Sequence, residues 1–180
     1  MKKDRELPRL GVSACLLGHK VRYDGRDKAF PQITSELGSS FELIAYCPEH
    51  GAGLPVPRPP IQLYIGEPCP RLLVVQDKSD VGEVLQTYIM QILKEIKASK
   101  ICGFILKSKS PSCGLKTTPL YNMDDTPTGE MISGVFAQTL LDELPDLPLI
   151  DEIDFLIKGK RKDYIRRCLD YFEGIHAENI

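Results

Sequence analysis

Six consecutive residues, Ile101-Cys102-Gly103-Phe104-Ile105-Leu106, carry no charged or hydroxyl side chain. As a strand, such a run has no face suited to water. It must be covered on both sides, as happens in a parallel sheet flanked by crossover helices. A covering helix stands directly upstream. Between residues 81 and 96 the apolar side chains of Val81, Val84, Leu85, Tyr88, Ile89, Ile92, Leu93 and Ile96 recur at steps of three and four, the stripe of an amphipathic helix. Asp80 with Glu83 supplies a start resembling a capping box.

The same alternation continues along the chain. Residues 9–14 read as a short strand running into the glycine-bearing loop Cys15-Leu16-Leu17-Gly18. Residues 41–46 read as a second strand, broken at Cys47-Pro48-Glu49 because proline cannot donate to a ladder. Residues 51–60 are too rich in proline and glycine for a helix and predict a stiff extended loop. After a polar connector through Asp124 and Asp125, residues 134–144 predict a helix, 147–150 a short strand and 160–172 a last packing helix. Strands and helices in this order predict an α/β protein, a single-domain Rossmann-like three-layer fold with a mostly parallel sheet. The 180 residues suit one domain over 1–180. Ligands of such sheets bind beyond the carboxyl ends of the strands.

A formal net charge of -2 provides no general attraction for polyanions, so no polymeric nucleic acid is expected as partner. No apolar run is long enough to cross a bilayer, and the charged opening Met1-Lys2-Lys3-Asp4-Arg5-Glu6 lacks an apolar signal core, so a cytoplasmic location without membrane attachment is expected. In that compartment six cysteines are reduced thiols or ligands rather than disulfides.

Three of them, Cys15, Cys47 and Cys113, fall just past expected strand ends. Neither Cys-x-x-Cys nor a ferredoxin-type spacing occurs, so any shared ligand must be gathered from three separate loops. Three thiolates would leave one position open on a four-iron cube or on a single tetrahedral metal. They can equally be small buried hydrophobes, and spacing alone leaves both readings standing. Cys102 and Cys168 lie on apolar faces and read as core. Cys69, between two prolines, reads as a spare loop thiol or a fourth ligand.

The strings Val12-Ser13-Ala14-Cys15-Leu16-Leu17-Gly18, Val21-Arg22-Tyr23-Asp24-Gly25, Cys47-Pro48-Glu49, Gly53-Leu54-Pro55-Val56-Pro57-Arg58-Pro59-Pro60 and Lys107-Ser108-Lys109-Ser110-Pro111-Ser112-Cys113-Gly114 resemble, in that order, the thiouracil desulfurase family. The resemblance spans a family-like core of about 9–150, leaving a C-terminal helical extension of about 151–180, and it implies a [4Fe-4S] cluster held by Cys15, Cys47 and Cys113, whose fourth iron is open to the substrate's sulfur. It implies conversion of 2-thiouracil to uracil with release of sulfide and no net redox change. The implied partner is a small thiolated nucleobase or nucleoside, and the oligomeric state is left open.

Such a reaction needs a better leaving group at sulfur, an activated water and a proton shuttled at a ring nitrogen. Glu49, two residues from Cys47, is the candidate acid-base group. Ser110 and Ser112 can orient the base or serve the loop around Cys113, with Ser13 a further hydroxyl beside Cys15. Asp24 either contacts ring nitrogens or builds the Asp-Gly turn. Arg58 and Lys107 either balance the charge of a thiolate-bound cluster or bind an anionic group. The competing classes are a zinc or iron-sulfur sensor without turnover and a sulfur transferase using the same cluster.

Overall fold

The computed structural model describes residues 7–177. In chain order it contains β1 (Arg9–Ser13), a 3-10 turn (Ala14–Leu17), α1 (Pro31–Leu37), β2 (Glu42–Tyr46), α2 (Pro48–Gly51), β3 (Ile61–Tyr64), β4 (Arg71–Val74) and α3 (Gly82–Ala98). There follow β5 (Ile101–Leu106), β6 (Thr118–Tyr121), β7 (Pro127–Ile132), α4 (Val135–Glu143), β8 (Leu149–Asp151), α5 (Glu152–Leu156) and α6 (Lys158–Ala177). The charged opening, residues 1–6, lies outside the described residues. No helix among those described is long and apolar enough to cross a membrane.

The apolar run becomes β5, and all six of its residues are buried. It lies inside a four-stranded sheet of order β2-β1-β5-β8, in which every pairing is parallel. One core cluster joins this sheet to α3, α4 and the second sheet through Phe104, Leu106, Leu85, Ile89, Phe136 and Leu63. Another joins it to α1, α5 and α6 through Leu10, Val12, Ile33, Phe155, Tyr164 and Cys168. The chain steps from β1 to β2 on one side, then crosses back over β1 to reach β5. The order therefore reverses at the β1–β5 pair, opening a crevice beyond the strands' carboxyl ends.

The second sheet is where the structure departs from the sequence reading of one mostly parallel sheet. Its order is β4-β3-β6-β7, with a parallel β3–β6 pair between two antiparallel pairs. Its strands lack the usual signal. Proline at 119 suppresses the strand reading of β6, and the structure accommodates it next to a register shift between Pro119 and Tyr121. Most of β7 is exposed, so no alternation marks it. The start of α3 also differs. Asp80 accepts the Gly82 N–H at 2.8 Å and pairs with Arg71, so it closes a turn before the helix rather than a reciprocal box with Glu83.

The β1–β5 contact is close enough to dictate a glycine. A Cβ placed on Gly11 would fall 2.1 Å from Cε2 of Phe104, whose ring is fully buried and packs against Tyr46 and Phe136 at centroid distances of 5.3 Å each. Gly11→Ala should lower stability in a urea titration by about 1–3 kcal/mol, the usual cost of overpacking. Wild-type stability in that variant would contradict the contact.

Candidate active site

Each of the three cysteines follows a strand of the parallel sheet. Cys15 sits in the 3-10 turn after β1, Cys47 follows β2 immediately, and Cys113 lies in the loop beyond β5. All three line one cavity of about 440 Å³, together with Tyr46, Arg22, Tyr23, Gln62, Ser108 and Tyr121. Cys15 and Cys113 are buried and Cys47 is half-buried. Burial pushes the Cys15 thiol up to about 11, with Cys47 adding to the rise and Lys107 and Arg22 opposing it. Burial also raises Cys47, while the backbone amides of His50 and Glu49 pull the other way. Cys113 is raised well above its ordinary value by burial, against a hydrogen bond with Ser13, and it feels both other thiols. Among the described residues, no three His, Cys, Asp or Glu side chains are gathered closely enough to hold a single metal ion.

Glu49 lies on α2, whose first turn begins with Pro48, a residue pre-set for that position. Its carboxylate lines the cavity and is held from both sides. Arg58 Nη2 donates to one oxygen, and Ser112 Oγ donates to the other at 2.8 Å. Arg58 also donates to the carbonyls of Val21 and Pro55, and its backbone N–H reaches Tyr23 O at 2.8 Å. Its Nε is buried without a partner. Across the cavity wall, Lys107 Nζ meets Glu152 Oε1 at 2.5 Å, and Glu152 also accepts Ser108 N–H at 2.7 Å and Ser108 Oγ at 2.8 Å. Ser13 Oγ accepts Lys107 N–H at 3.0 Å, tying the end of β1 to the end of β5.

The model of the 2-thiouracil desulfurase family matches residues 10–152. The chain belongs to that family. Over 131 residues it is 34% identical to the uncharacterized protein YbbK of Bacillus subtilis strain 168, covering 68% of this chain and 82% of that one. It also resembles the solved structure of the [4Fe-4S]-dependent thiouracil desulfidase TudS, with a TM-score of 0.64 and 28% identity over 87% of this chain and 98% of that one.

In this family member the cavity gathers Cys15, Cys47, Cys113, Glu49, Arg58, Lys107, Ser13 and Ser110. Ser110 uses its hydroxyl to accept the N–H groups of Ser112 at 3.2 Å and Cys113 at 3.0 Å, which shapes the cysteine's loop. Ser112 is fully buried and reaches the cavity only through Glu49. Asp24 is not among the lining residues. It accepts Arg26 N–H at 3.1 Å and pairs with Arg22, so Arg22 and Tyr23 face the cavity in its place. Cys69 is exposed and away from the cavity, while Cys102 and Cys168 are buried in the core. Sequence reasoning missed Glu152 and Gln62. Glu152 pairs with a lysine 45 positions away, so no local pattern marks it.

Burial pushes the Glu152 carboxyl up, but the Lys107 ammonium and the two Ser108 donors outweigh it, so it sits below the ordinary glutamate value of 4.5. A carboxyl depressed on folding contributes stability above its unfolded value and loses it as pH falls through the folded one. Glu152→Gln should therefore cost about 1–3 kcal/mol at neutral pH. The gap from wild type should close as pH drops below 4.5, measured by denaturant titration at a series of pH values. A gap independent of pH would contradict the ion pair.

Proposed function

We propose that this chain is a hydrolytic, cluster-dependent desulfurase that converts a thiolated pyrimidine, such as 2-thiouracil, to its oxo form and releases sulfide. The carrying observation is convergence: thiols from three separate strand ends line the same cavity as a carboxylate fixed from two sides. The resemblance to TudS, a [4Fe-4S]-dependent thiouracil desulfidase, supports the same chemistry here.

The three cysteines that line the cavity are thiolate donors of the kind an iron-sulfur cluster takes. Three thiolates on a single tetrahedral metal would stand about 4 Å apart, given metal–sulfur bonds near 2.3 Å. Each cysteine of an iron-sulfur cube instead holds its own iron. Three thiols on three separate strand ends of one cavity can each hold one iron of such a cube. In this reading Cys15, Cys47 and Cys113 are the ligands and one iron stays open. When bound, the cluster supplies a thiophilic Lewis acid for the sulfur of the substrate. Burial holds all three thiols in their protonated forms, so loading must displace protons. Lys107 and Arg22, the cations already felt by Cys15, offset the charge that results.

The remaining work falls to protein side chains. Arg58 and Ser112 stop the Glu49 carboxylate from turning, and each of its oxygens keeps a lone pair for a further partner. Glu49 takes the proton of the water that attacks the thiocarbonyl carbon and returns one as sulfide leaves. Water and the thiocarbonyl thus yield the carbonyl and hydrogen sulfide, with no electrons exchanged. Ser13 and Ser110 keep the Cys15 and Cys113 segments in place. A cavity of about 440 Å³ suits a single base or nucleoside.

After anaerobic reconstitution, the protein should release sulfide from 2-thiouracil in a panel of thiolated pyrimidines. Glu49→Gln should keep the cluster's visible absorbance and lose turnover by about 100-fold or more. Sulfide release from none of the panel by iron-loaded protein would contradict the activity. Normal turnover in Glu49→Gln would contradict the role given to the carboxylate.

A further inference from the structure

At the end of β3, Tyr64 is fully buried, yet its hydroxyl joins a polar cluster that Glu49, Arg58 and Lys107 do not touch. The hydroxyl lies 2.5 Å from Asp125 Oδ1, 2.9 Å from Lys78 Nζ and 3.1 Å from the side-chain oxygen of Gln62. Lys78 also reaches Asp125 Oδ1, at 2.5 Å. Both Lys78 and Asp125 adopt positive φ, 57° and 67°, a conformation uncommon for residues with a side chain. Of the four residues, Gln62 is the one that lines the cavity.

Counting protons fixes how the glutamine amide must stand. Burial and the Asp125 carboxylate both push the Tyr64 hydroxyl up, so it keeps its proton. It has only one to give. The Asp125 carboxylate, held below the ordinary aspartate range by Lys78 and Tyr64, is the strongest acceptor in reach and takes it. Lys78 has only protons to offer and fills one lone pair of the hydroxyl. An amide oxygen facing that hydroxyl would be an acceptor against an atom with no proton left. The consistent assignment turns the amide over, with its NH2 group donating to Tyr64 and its oxygen directed away.

We infer that Gln62 is a specificity-determining residue that presents its side-chain oxygen to the cavity as the acceptor for a ring N–H of the substrate. The inference rests on the desulfurase reading and adds to it the means of recognising the ring. Thiolated pyrimidines carry a lactam or thiolactam N–H beside the reacting carbon, and an acceptor of fixed direction rewards that N–H and rejects its N-alkylated analogue. A neutral amide performs this task without placing a second carboxylate near Glu49 and the thiolates. Asp24, the other candidate for ring contact, does not line the cavity. Tyr64, Lys78 and Asp125 are positioning residues, acting only through the direction of the amide.

The test uses uracil, the product, so that it does not depend on turnover. Binding of uracil, 1-methyluracil and 3-methyluracil to the reconstituted full chain is measured by titration calorimetry. Wild type should prefer uracil over at least one methylated form. Gln62→Met should bind uracil about tenfold more weakly and lose that preference. Tyr64→Phe, which removes one oxygen and frees the amide, should retain a preference between those two. Unchanged discrimination in Gln62→Met overturns the role of Gln62, and unchanged discrimination in Tyr64→Phe overturns the fixed orientation. Failure of the desulfurase reading has a different signature, namely Gln62-dependent uracil binding with no sulfide released from any thiolated base.

Discussion

Burial of β5 on both faces is the constraint from which the rest of the architecture follows. A strand with six buried residues needs helices or a second sheet on each side, and only crossover connections of a parallel sheet supply both. Crossing over from β2 to β5 reverses the strand order at β1 and leaves a crevice at the carboxyl ends. Phe104, at the middle of β5, fills the space opposite Gly11 and touches Tyr46, the residue before Cys47. The packing that stabilises the sheet is thus continuous with the wall of the cavity.

Two ion pairs then convert loose strand ends into a defined site. Arg58 joins the segment around Val21 and Tyr23, the proline-rich loop at Pro55, and Glu49. Glu152 joins the end of β8 to Lys107 and Ser108 beyond β5. Both pairs are well shielded, with side-chain exposures of 4% and 13% for Arg58 and Glu49, and 18% and 5% for Lys107 and Glu152. Shielded pairs of this kind contribute little net stability, because desolvation offsets the attraction, but loss of either partner leaves a buried charge. Their effect is geometric. They hold separate chain segments around one cavity whose lining carries Arg22, Lys28, Arg58, Lys107 and Lys109 against the single carboxylate of Glu49.

Much of this was legible in the sequence, and the exceptions have physical causes. All four strands of the parallel sheet were anticipated because each is an apolar segment bounded by proline, glycine or a helix. The second sheet was not. Pro119 interrupts β6 and β7 faces water along most of its length, while β3 and β4 are four residues each, too short for their buried side chains to stand out as a pattern. The three cysteines were found by position, but their spacing alone allowed ordinary core residues as readily as ligands. Only the surrounding strings, and later the shared cavity, favoured ligands. Arg58 was anticipated as a counter-charge or anion binder. Most of its guanidinium is instead occupied by two carbonyls and Glu49, which no local pattern reveals. Gln62 escaped notice because an isolated strand glutamine carries no signal, and its meaning comes from Tyr64 and Asp125, 61 residues apart in sequence.

On the proposed reading Cys15, Cys47 and Cys113, and no other cysteine, hold the cluster. Iron and acid-labile sulfide per chain, counted after anaerobic reconstitution of the six single cysteine-to-alanine variants, test it most directly. Full cluster content is expected when Cys69, Cys102 or Cys168 is replaced in folded protein, and loss of the cluster when any of Cys15, Cys47 or Cys113 is replaced. Full content in one of the latter three, or loss on replacing the exposed Cys69, would contradict it.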